Sequence, residues 1–165
     1  MDRKVQREAV LILQMPTDQW YFAYGSNLLV AQMESRTGRI RQAIRSRLKG
    51  YCFAFNNRDE NGEIYANIVP DPAAEVWGVA YLCDTDALRK MDEFEGVGDG
   101  CYQRIPVSVE NDFGEQIEAF AYIAGKDFVG EPGKPTGEYL GRIISGARHH
   151  GLPDGYIEMI EELAG

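Results

Sequence analysis

The chain has 165 residues, of which 44% are hydrophobic and 26% are charged, and this composition is typical of one globular domain with a substantial core. Asp and Glu outnumber Lys and Arg by 26 to 17, so the formal net charge is -9, which argues against nucleic acid or an anionic membrane surface as a partner. The cysteines Cys52, Cys83 and Cys101 are odd in number and widely separated, which argues against a disulfide framework and favours reduced thiols in a cytoplasm.

Residues 1–15 carry no recognisable targeting signal. Their single apolar run, Ala9 to Leu13, is shorter than the roughly 7–15 residues of a signal-peptide core, and no small-residue cleavage site follows it. No stretch of the chain approaches the roughly 18 apolar residues of a membrane-spanning helix. We therefore expect residues 1–15 to form a frayed or weakly helical extension and residues 16–165 to form a single domain, with no membrane partner.

Alternating and continuous apolar runs predict about six strands, at residues 20–24, 48–56, 64–69, 76–83, 102–110 and 116–123. Pro70 and Pro72 are expected to end the third of them. Capping residues and apolar spacing predict helices from Gly25 to about Arg36, and at residues 87–94, 140–150 and 156–163. This order of elements predicts the α+β class, with a curled, barrel-like sheet.

The first candidate site is YFAYGSNL at residues 21–28, a strand that runs through a glycine turn into a helix start. The first N–H groups of a helix have no partner within the helix, so this place suits a carboxylate or a developing oxyanion. Gly25 would let a ligand approach the backbone and would permit a positive φ. Alternatively, Ser26 or Asn27 only caps the helix, and the residues alone leave both interpretations open.

The second candidate site is the acidic segment that ends the helix predicted at 87–94. Acidic side chains oppose the dipole at a helix C-terminus, so one of Asp92, Glu93 and Glu95 is a candidate for a functional role. Glu95 lies where the helix stops, and if it turned inward its pKa would rise into the range suited to proton transfer. Asp92 and Glu93 are interpreted as solvated surface acids, and a wholly solvated helix end is the alternative for all three.

Other reactive groups are less persuasive as site residues. His149 and His150 are adjacent at a polar helix end, so we expect them to point apart, and neither a metal-ligand cluster nor a nucleotide-binding motif is present. Each cysteine lies in an apolar, strand-like stretch, which favours a structural role over a nucleophilic one. We therefore expect no metal and no cofactor.

Four motifs in sequence resemble the γ-glutamylcyclotransferase family: YFAYGSNL at 21–28, EVWGV at 75–79, MDEFEGV at 91–97 and GLP at 151–153. The resemblance spans about residues 19–163. It implies a mixed β-barrel flanked by helices, and an enzyme that cyclises γ-glutamyl amino acids or dipeptides with release of 5-oxoproline. A homodimer is plausible by the same resemblance.

The resemblance also implies roles for individual residues. The family's catalytic glutamate precedes a glycine, which here makes Glu95 the general base. The residues expected to bind the substrate are Tyr24, Gly25, Ser26, Asn27, Leu28, Tyr102 and Tyr139. Residues 64–68 depart from a stretch that is often glycine-rich, and the loop at 130–137 has no recognisable specificity signature, so the leaving group stays open.

Two alternative functions remain from the sequence. The enzyme could remove a γ-glutamyl protecting group from a larger amine in a biosynthetic pathway. The chain could also be a non-catalytic binding domain that kept the cavity, although the presence of Glu95 argues against this.

Overall fold

The computed structural model describes residues 18–165, which form a closed five-stranded barrel flanked by four helices. The strands are β1 (Gln19–Ala23), β2 (Ala43–Arg58), β3 (Ile64–Cys83), β4 (Tyr102–Asn111) and β5 (Gln116–Ala124). The helices are α1 (Val30–Thr37), α2 (Thr85–Phe94), α3 (Gly137–His149) and α4 (Asp154–Leu163). The extension predicted over residues 1–15 lies outside the described residues.

The barrel is mixed, as predicted. Its strand order is β1-β3-β2-β4-β5, and the pairs β1–β3, β2–β3, β2–β4 and β4–β5 are antiparallel. The barrel closes where β1 runs parallel to β5, with Trp20 opposite Ala119 and Tyr21 opposite Phe120. The predicted α+β class is therefore confirmed.

The prediction that Pro70 and Pro72 end a strand is wrong. β3 runs without a break through both prolines and unites the strands predicted at 64–69 and 76–83, so the barrel has five strands. Lys49 pairs with Glu75 but Tyr51 pairs with Pro70, which leaves residues 71–74 of β3 opposite a single residue of β2. Pro72 lies in this bulge, where no ladder hydrogen bond is required of it.

Aromatic rings fill much of the barrel interior. Tyr21 stacks on Phe120 with ring centroids 5.4 Å apart, and Phe53 meets Phe55 edge to face at 4.9 Å. All four rings are buried. Because tyrosine rings end in hydroxyls, such a core can be apolar in its body and still present polar groups to a cavity at its end.

The loop after β1 is seated directly on α3. The helix predicted from Gly25 to Arg36 is interrupted: a 3-10 turn (Ser26–Leu28) comes first, and α1 begins after the extended residue Leu29. Gly146 of α3 allows this close approach, because a Cβ at that position would lie 2.3 Å from the carbonyl carbon of Leu28. Helix packing against the backbone thus holds the loop in place.

None of the helices in residues 18–165 has the length and apolarity needed to cross a bilayer. In the same part of the chain, no three His, Cys, Asp or Glu side chains come together in an arrangement that could hold a metal ion.

We expect Gly146→Ala to destabilise the protein, because the added methyl group meets the backbone of Leu28 and Leu29 rather than a movable side chain. Overpacking of this kind typically costs about 1–3 kcal/mol. Gly141→Ala on the same helix is the matched control, since nothing lies within 4 Å of a Cβ there. It should be neutral or stabilising by up to about 1 kcal/mol. Urea unfolding of the two variants measures the difference. Equal free energies of unfolding would contradict the close packing of the loop after β1 against α3.

Candidate active site

A cavity of about 440 Å³ lies between the loop after β1, the end of α2 and the start of α3. Seven of the eight predicted site residues line it: Glu95, Tyr24, Gly25, Ser26, Asn27, Tyr102 and Tyr139. Leu28 does not, because its side chain is fully buried in the core and its amide donates to the carbonyl of Gly25. The Leu28 side chain therefore anchors the loop in the core and does not line the cavity.

Local backbone structure turns Glu95 towards the cavity. The Asp84 side chain caps the start of α2 by accepting from the Ala87 amide at 2.8 Å. At the other end the Glu95 amide still donates to the Met91 carbonyl, and Gly96 then takes a left-handed φ of 63° that ends the helix. The Glu95 side chain is consequently only 15% exposed.

The surroundings of Glu95 shift the pKa of its carboxyl group. Burial raises the pKa of Glu95 from its ordinary value of 4.5 to about 7, against the lowering effects of the Arg36 charge and of a hydrogen bond from Asn27. Asn27 Nδ2 donates to Glu95 Oε1 at 3.2 Å, and Arg36 Nη1 lies 3.8 Å from the same oxygen. Loss of solvent thus outweighs one cation and one donor.

Asn27 connects this carboxylate to the rest of the site. Its Nδ2 donates to Tyr21 Oη at 3.1 Å as well as to Glu95, and its Oδ1 accepts from Gln32 Nε2 at 3.0 Å and from Arg36 Nη1 at 3.2 Å. No side chain caps the 3-10 turn or α1. The interpretation of Ser26 and Asn27 as helix caps is therefore wrong.

The loop also has backbone amides that its first internal hydrogen bond does not use. The first hydrogen bond of the 3-10 turn runs from the Leu28 amide to the Gly25 carbonyl, so the amides of Ser26 and Asn27 take no part in it. Gly25 has φ -108°, so the expected positive φ is not found. A Cβ at Gly25 would lie 3.4 Å from Ala66 Cβ and 3.5 Å from Tyr139 Oη, at the cavity wall.

The hydroxyl groups of Tyr102 and Tyr139 both form hydrogen bonds with Ala66 of β3. Tyr102 Oη donates to the Ala66 carbonyl at 2.7 Å, while Tyr139 Oη accepts from the Ala66 amide at 3.0 Å. The Tyr139 hydroxyl proton is therefore left for another acceptor. Burial raises the pKa of both phenols and that of Tyr24, which donates to the Tyr122 carbonyl, so all three are neutral at physiological pH.

The interpretation of Asp92 as a solvated surface acid is wrong. Arg104 Nε and Nη2 each donate to it at 2.7 Å, and Tyr122 Oη donates at 2.6 Å. Asp92 thus ties β4 and β5 to α2. Glu93, by contrast, is 68% exposed and pairs with Arg89.

Two further groups differ from the sequence expectation. The rings of His149 and His150 lie 5.0 Å apart and do not point away from each other. His150 Nε2 donates to the Leu28 carbonyl at 2.9 Å, and burial lowers the pKa of this histidine, so it braces the loop in its neutral form. Cys101 lines the cavity, where burial raises the pKa of its thiol.

Sequence reasoning missed two arginines, Arg36 and Arg142, which also line the cavity. A signal for Arg36 was available. Gln32 and Arg36 are polar residues one helical turn apart on the short helix that follows the loop, and this spacing places both on one face. Both side chains reach back to Asn27.

One cavity of the closed barrel thus combines a buried carboxyl group, with a pKa raised to about 7, and three neutral phenols. The model of the AIG2-like family matches residues 75–160. The γ-glutamylcyclotransferase of Homo sapiens is 32% identical over 148 residues, which are 87% of this chain and 77% of that protein. The enzyme of the same name from Mus musculus is 31% identical with the same coverage.

Solved structures agree with these relatives. One named gamma-glutamyl cyclotransferase is 31% identical and superposes with a TM-score of 0.79, covering 87% of this chain and 86% of its own. A Bacillus subtilis protein at 23% identity shares the fold, with a TM-score of 0.81 over 96% of this chain and 58% of its own. The chain belongs to the γ-glutamylcyclotransferase family.

We expect Glu95→Gln to stabilise the protein at alkaline pH. A pKa raised to about 7 in the folded state means that stability is full at low pH and is lost as the pH rises through that value, by up to about 3 kcal/mol. Removal of the charge should therefore raise the free energy of unfolding near pH 9 and leave it almost unchanged near pH 4.

Urea unfolding at the two pH values measures this effect. Glu93→Gln is the matched control, because its exposed carboxylate carries no burial cost. A Glu95→Gln difference that does not depend on pH would show that Glu95 titrates in the folded protein as it does in the unfolded chain.

Proposed function

We propose that the enzyme cyclises γ-glutamyl amino acids or dipeptides, and that Glu95 is the general acid and base. The substrate's own α-amino nitrogen attacks its γ-carbonyl carbon. The bond to the leaving nitrogen then breaks, which gives 5-oxoproline and a free amino acid or amine without consuming water. The observation that carries the proposal is the buried Glu95 carboxylate with a pKa of about 7, in a member of this family.

Glu95 can serve both proton transfers of this reaction. The α-ammonium group must lose a proton before it can attack, and a carboxylate with a pKa of about 7 is substantially ionised at neutral pH and able to take it. The leaving nitrogen must gain a proton as its bond to carbon breaks. The newly protonated Glu95 can return the same proton, so the cycle leaves the enzyme unchanged.

The remaining demands are orientation and charge stabilisation. Folding the glutamyl chain for attack is an intramolecular alignment problem, for which good positioning supplies up to about 7–11 kcal/mol. Negative charge develops on the γ-carbonyl oxygen, and we assign its stabilisation to the amides of Ser26 and Asn27 and to the hydroxyl proton of Tyr139, donors that the hydrogen bonds of Gly25 and Ala66 leave unused. Tyr24, Gly25 and Tyr102 complete the walls that hold the chain in its folded form.

We expect Glu95→Gln to lower kcat for 5-oxoproline release by about 10²–10⁴ or more, since glutamine cannot take the ammonium proton. Substrate binding should change much less, because the loop donors and tyrosines remain. Steady-state kinetics with γ-glutamyl-alanine, and substrate binding by calorimetry, measure the two effects separately.

Glu93→Gln is the control for this experiment and should keep near-normal turnover. Asp92→Asn is unsuitable, because Asp92 holds Arg104 and Tyr122. Full activity in Glu95→Gln would rule out the proposed acid–base role.

One feature of the cavity favours the second candidate, a γ-glutamyl enzyme whose leaving group is a larger amine. Asp59 lines the same cavity as Glu95 and Arg36, so the cavity wall carries a second acidic side chain.

Asp59 is held in a fixed position by its own hairpin. Its Oδ1 accepts from the amides of Asn61 and Glu63, each at 2.9 Å, and Tyr65 Oη lies 3.3 Å from its Oδ2. Within residues 18–165, no Lys or Arg side chain forms an ion pair with Asp59. A leaving group with a second positive charge would be attracted here, whereas the carboxylate of an amino acid would be repelled.

This second candidate predicts that the enzyme prefers a γ-glutamyl amide of a diamine over γ-glutamyl-alanine, and that Asp59→Asn reduces the preference by up to about fivefold, the range of a partly exposed ion pair. The ratio of the two kcat/KM values, in parent and variant, measures the effect. Asp154→Asn is a control remote from the cavity. An absent preference would favour a small amino acid as the leaving group, and a preference that survives Asp59→Asn would contradict the role of Asp59.

The third alternative, a non-catalytic binding domain, is not supported, because the chain belongs to a family of enzymes and retains the buried carboxylate. A cytoplasmic location stays a prediction, which the three free thiols of Cys52, Cys83 and Cys101 support. The homodimer likewise stays a prediction from the family resemblance, and sedimentation analysis would measure it.

A further inference from the structure

Arg36 is a cation in the cavity, and the proposed reaction assigns it no role. Its guanidinium stacks over the Phe94 ring at 5.0 Å, its side chain is 23% exposed, and Nη1 donates to Asn27 Oδ1. A guanidinium carries five N–H donors in a planar fork. That bond to Asn27 is the one hydrogen bond that Arg36 donates from its side chain within the described part of the chain, so most of its donors remain available.

The ion pair with Glu95 uses Arg36 only in part. Its closest atoms, Arg36 Nη1 and Glu95 Oε1, are 3.8 Å apart, which is beyond a direct hydrogen bond. A partly buried arginine with unused donors is unfavourable until an anion supplies the acceptors. The part of the cavity beside Arg36 therefore suits a carboxylate group of the ligand.

Resting on the proposed function, we propose that Arg36 binds the α-carboxylate of the γ-glutamyl group. In an amino acid the α-nitrogen and the carboxylate carbon are bonded to one carbon atom and lie about 2.5 Å apart. Glu95 Oε1 and Arg36 Nη1 are 3.8 Å apart and both side chains line the cavity. The ammonium group can therefore contact Glu95 while the carboxylate contacts Arg36, with charges that alternate in sign across the four groups.

This assignment also gives the hydrogen-bond donors of the cavity separate roles. With the α-carboxylate on Arg36, the amides of Ser26 and Asn27 are left for the γ-carbonyl oxygen, where charge develops during the reaction. Arg142 is less suited to the carboxylate, because it already pairs with Glu138 at 2.6 Å and donates to Gln32 at 3.3 Å.

The test compares two substrates in parent and Arg36→Met enzymes. γ-Glutamyl-alanine carries the α-carboxylate, and 4-aminobutanoyl-alanine has the same amine, carbonyl and leaving group without it. The parent should prefer the first substrate by about 10- to 100-fold in kcat/KM, as expected for hydrogen bonds to a charged group. Arg36→Met should remove that preference, mainly through KM, because it weakens the first substrate far more than the second, while the loss of the charge beside Glu95 acts on both substrates alike. The exposed Arg89→Met is the control and should retain the preference.

Each other outcome overturns the proposal. Equal losses on both substrates would mean that Arg36 acts through Glu95 or Asn27, and a preference abolished by Arg142→Met instead would place the carboxylate on Arg142. If Arg36→Met does not fold, Arg36→Gln replaces it, with circular dichroism as the check on both.

A binding experiment separates this inference from the proposed function. 5-Oxoproline has the carboxylate and 2-pyrrolidone lacks it, and their affinities require no turnover. Tighter binding of 5-oxoproline by the parent, lost in Arg36→Met, supports the Arg36 site even if γ-glutamyl-alanine is not cyclised. Equal binding of the two compounds by the parent overturns the site.

Discussion

The side-chain amide of Asn27 joins three separate parts of the fold, and the site depends on those contacts. Nδ2 donates to Tyr21 inside the barrel and to Glu95 at the end of α2, while Oδ1 accepts from Arg36 on α1. These three partners lie on three different elements, namely β1, the end of α2 and α1. Because an amide offers donors on one atom and acceptors on the other, it can hold a carboxylate and a guanidinium near each other without neutralising either.

The buried carboxylate is maintained against an energetic penalty, and the surrounding structure explains how. A charged group that loses solvent is unfavourable, which is why the pKa of Glu95 rises. The Asp84 cap fixes the start of α2, and the left-handed Gly96 and the Asp92–Arg104 contact fix its end, where Glu95 lines the cavity. Rigid support around a functional group that weakens the fold is a common compromise in enzymes.

Much of the fold follows from local patterns in the sequence. Alternating residues predicted β4 and β5, capping residues predicted α2, and glycine turns marked the boundaries between elements. The main error concerned β3, because Pro72 breaks a regular ladder but not a bulged one. A bulge depends on the register of the partner strand, since Tyr51 pairs with Pro70 while Lys49 pairs with Glu75. No property of residues 64–83 alone reveals that register.

The sequence by itself determined the family, the motif order and the candidates Glu95 and the loop at 21–28, because these are short segments whose residue types carry the signal. Only the tertiary structure decided that Asn27 is a bridging group and not a cap, that Arg36 shares the cavity with Glu95, and that Asp92 is committed to Arg104. The physical reason is distance along the chain. Burial, pKa and hydrogen-bond partners are set by groups that meet only when the barrel closes.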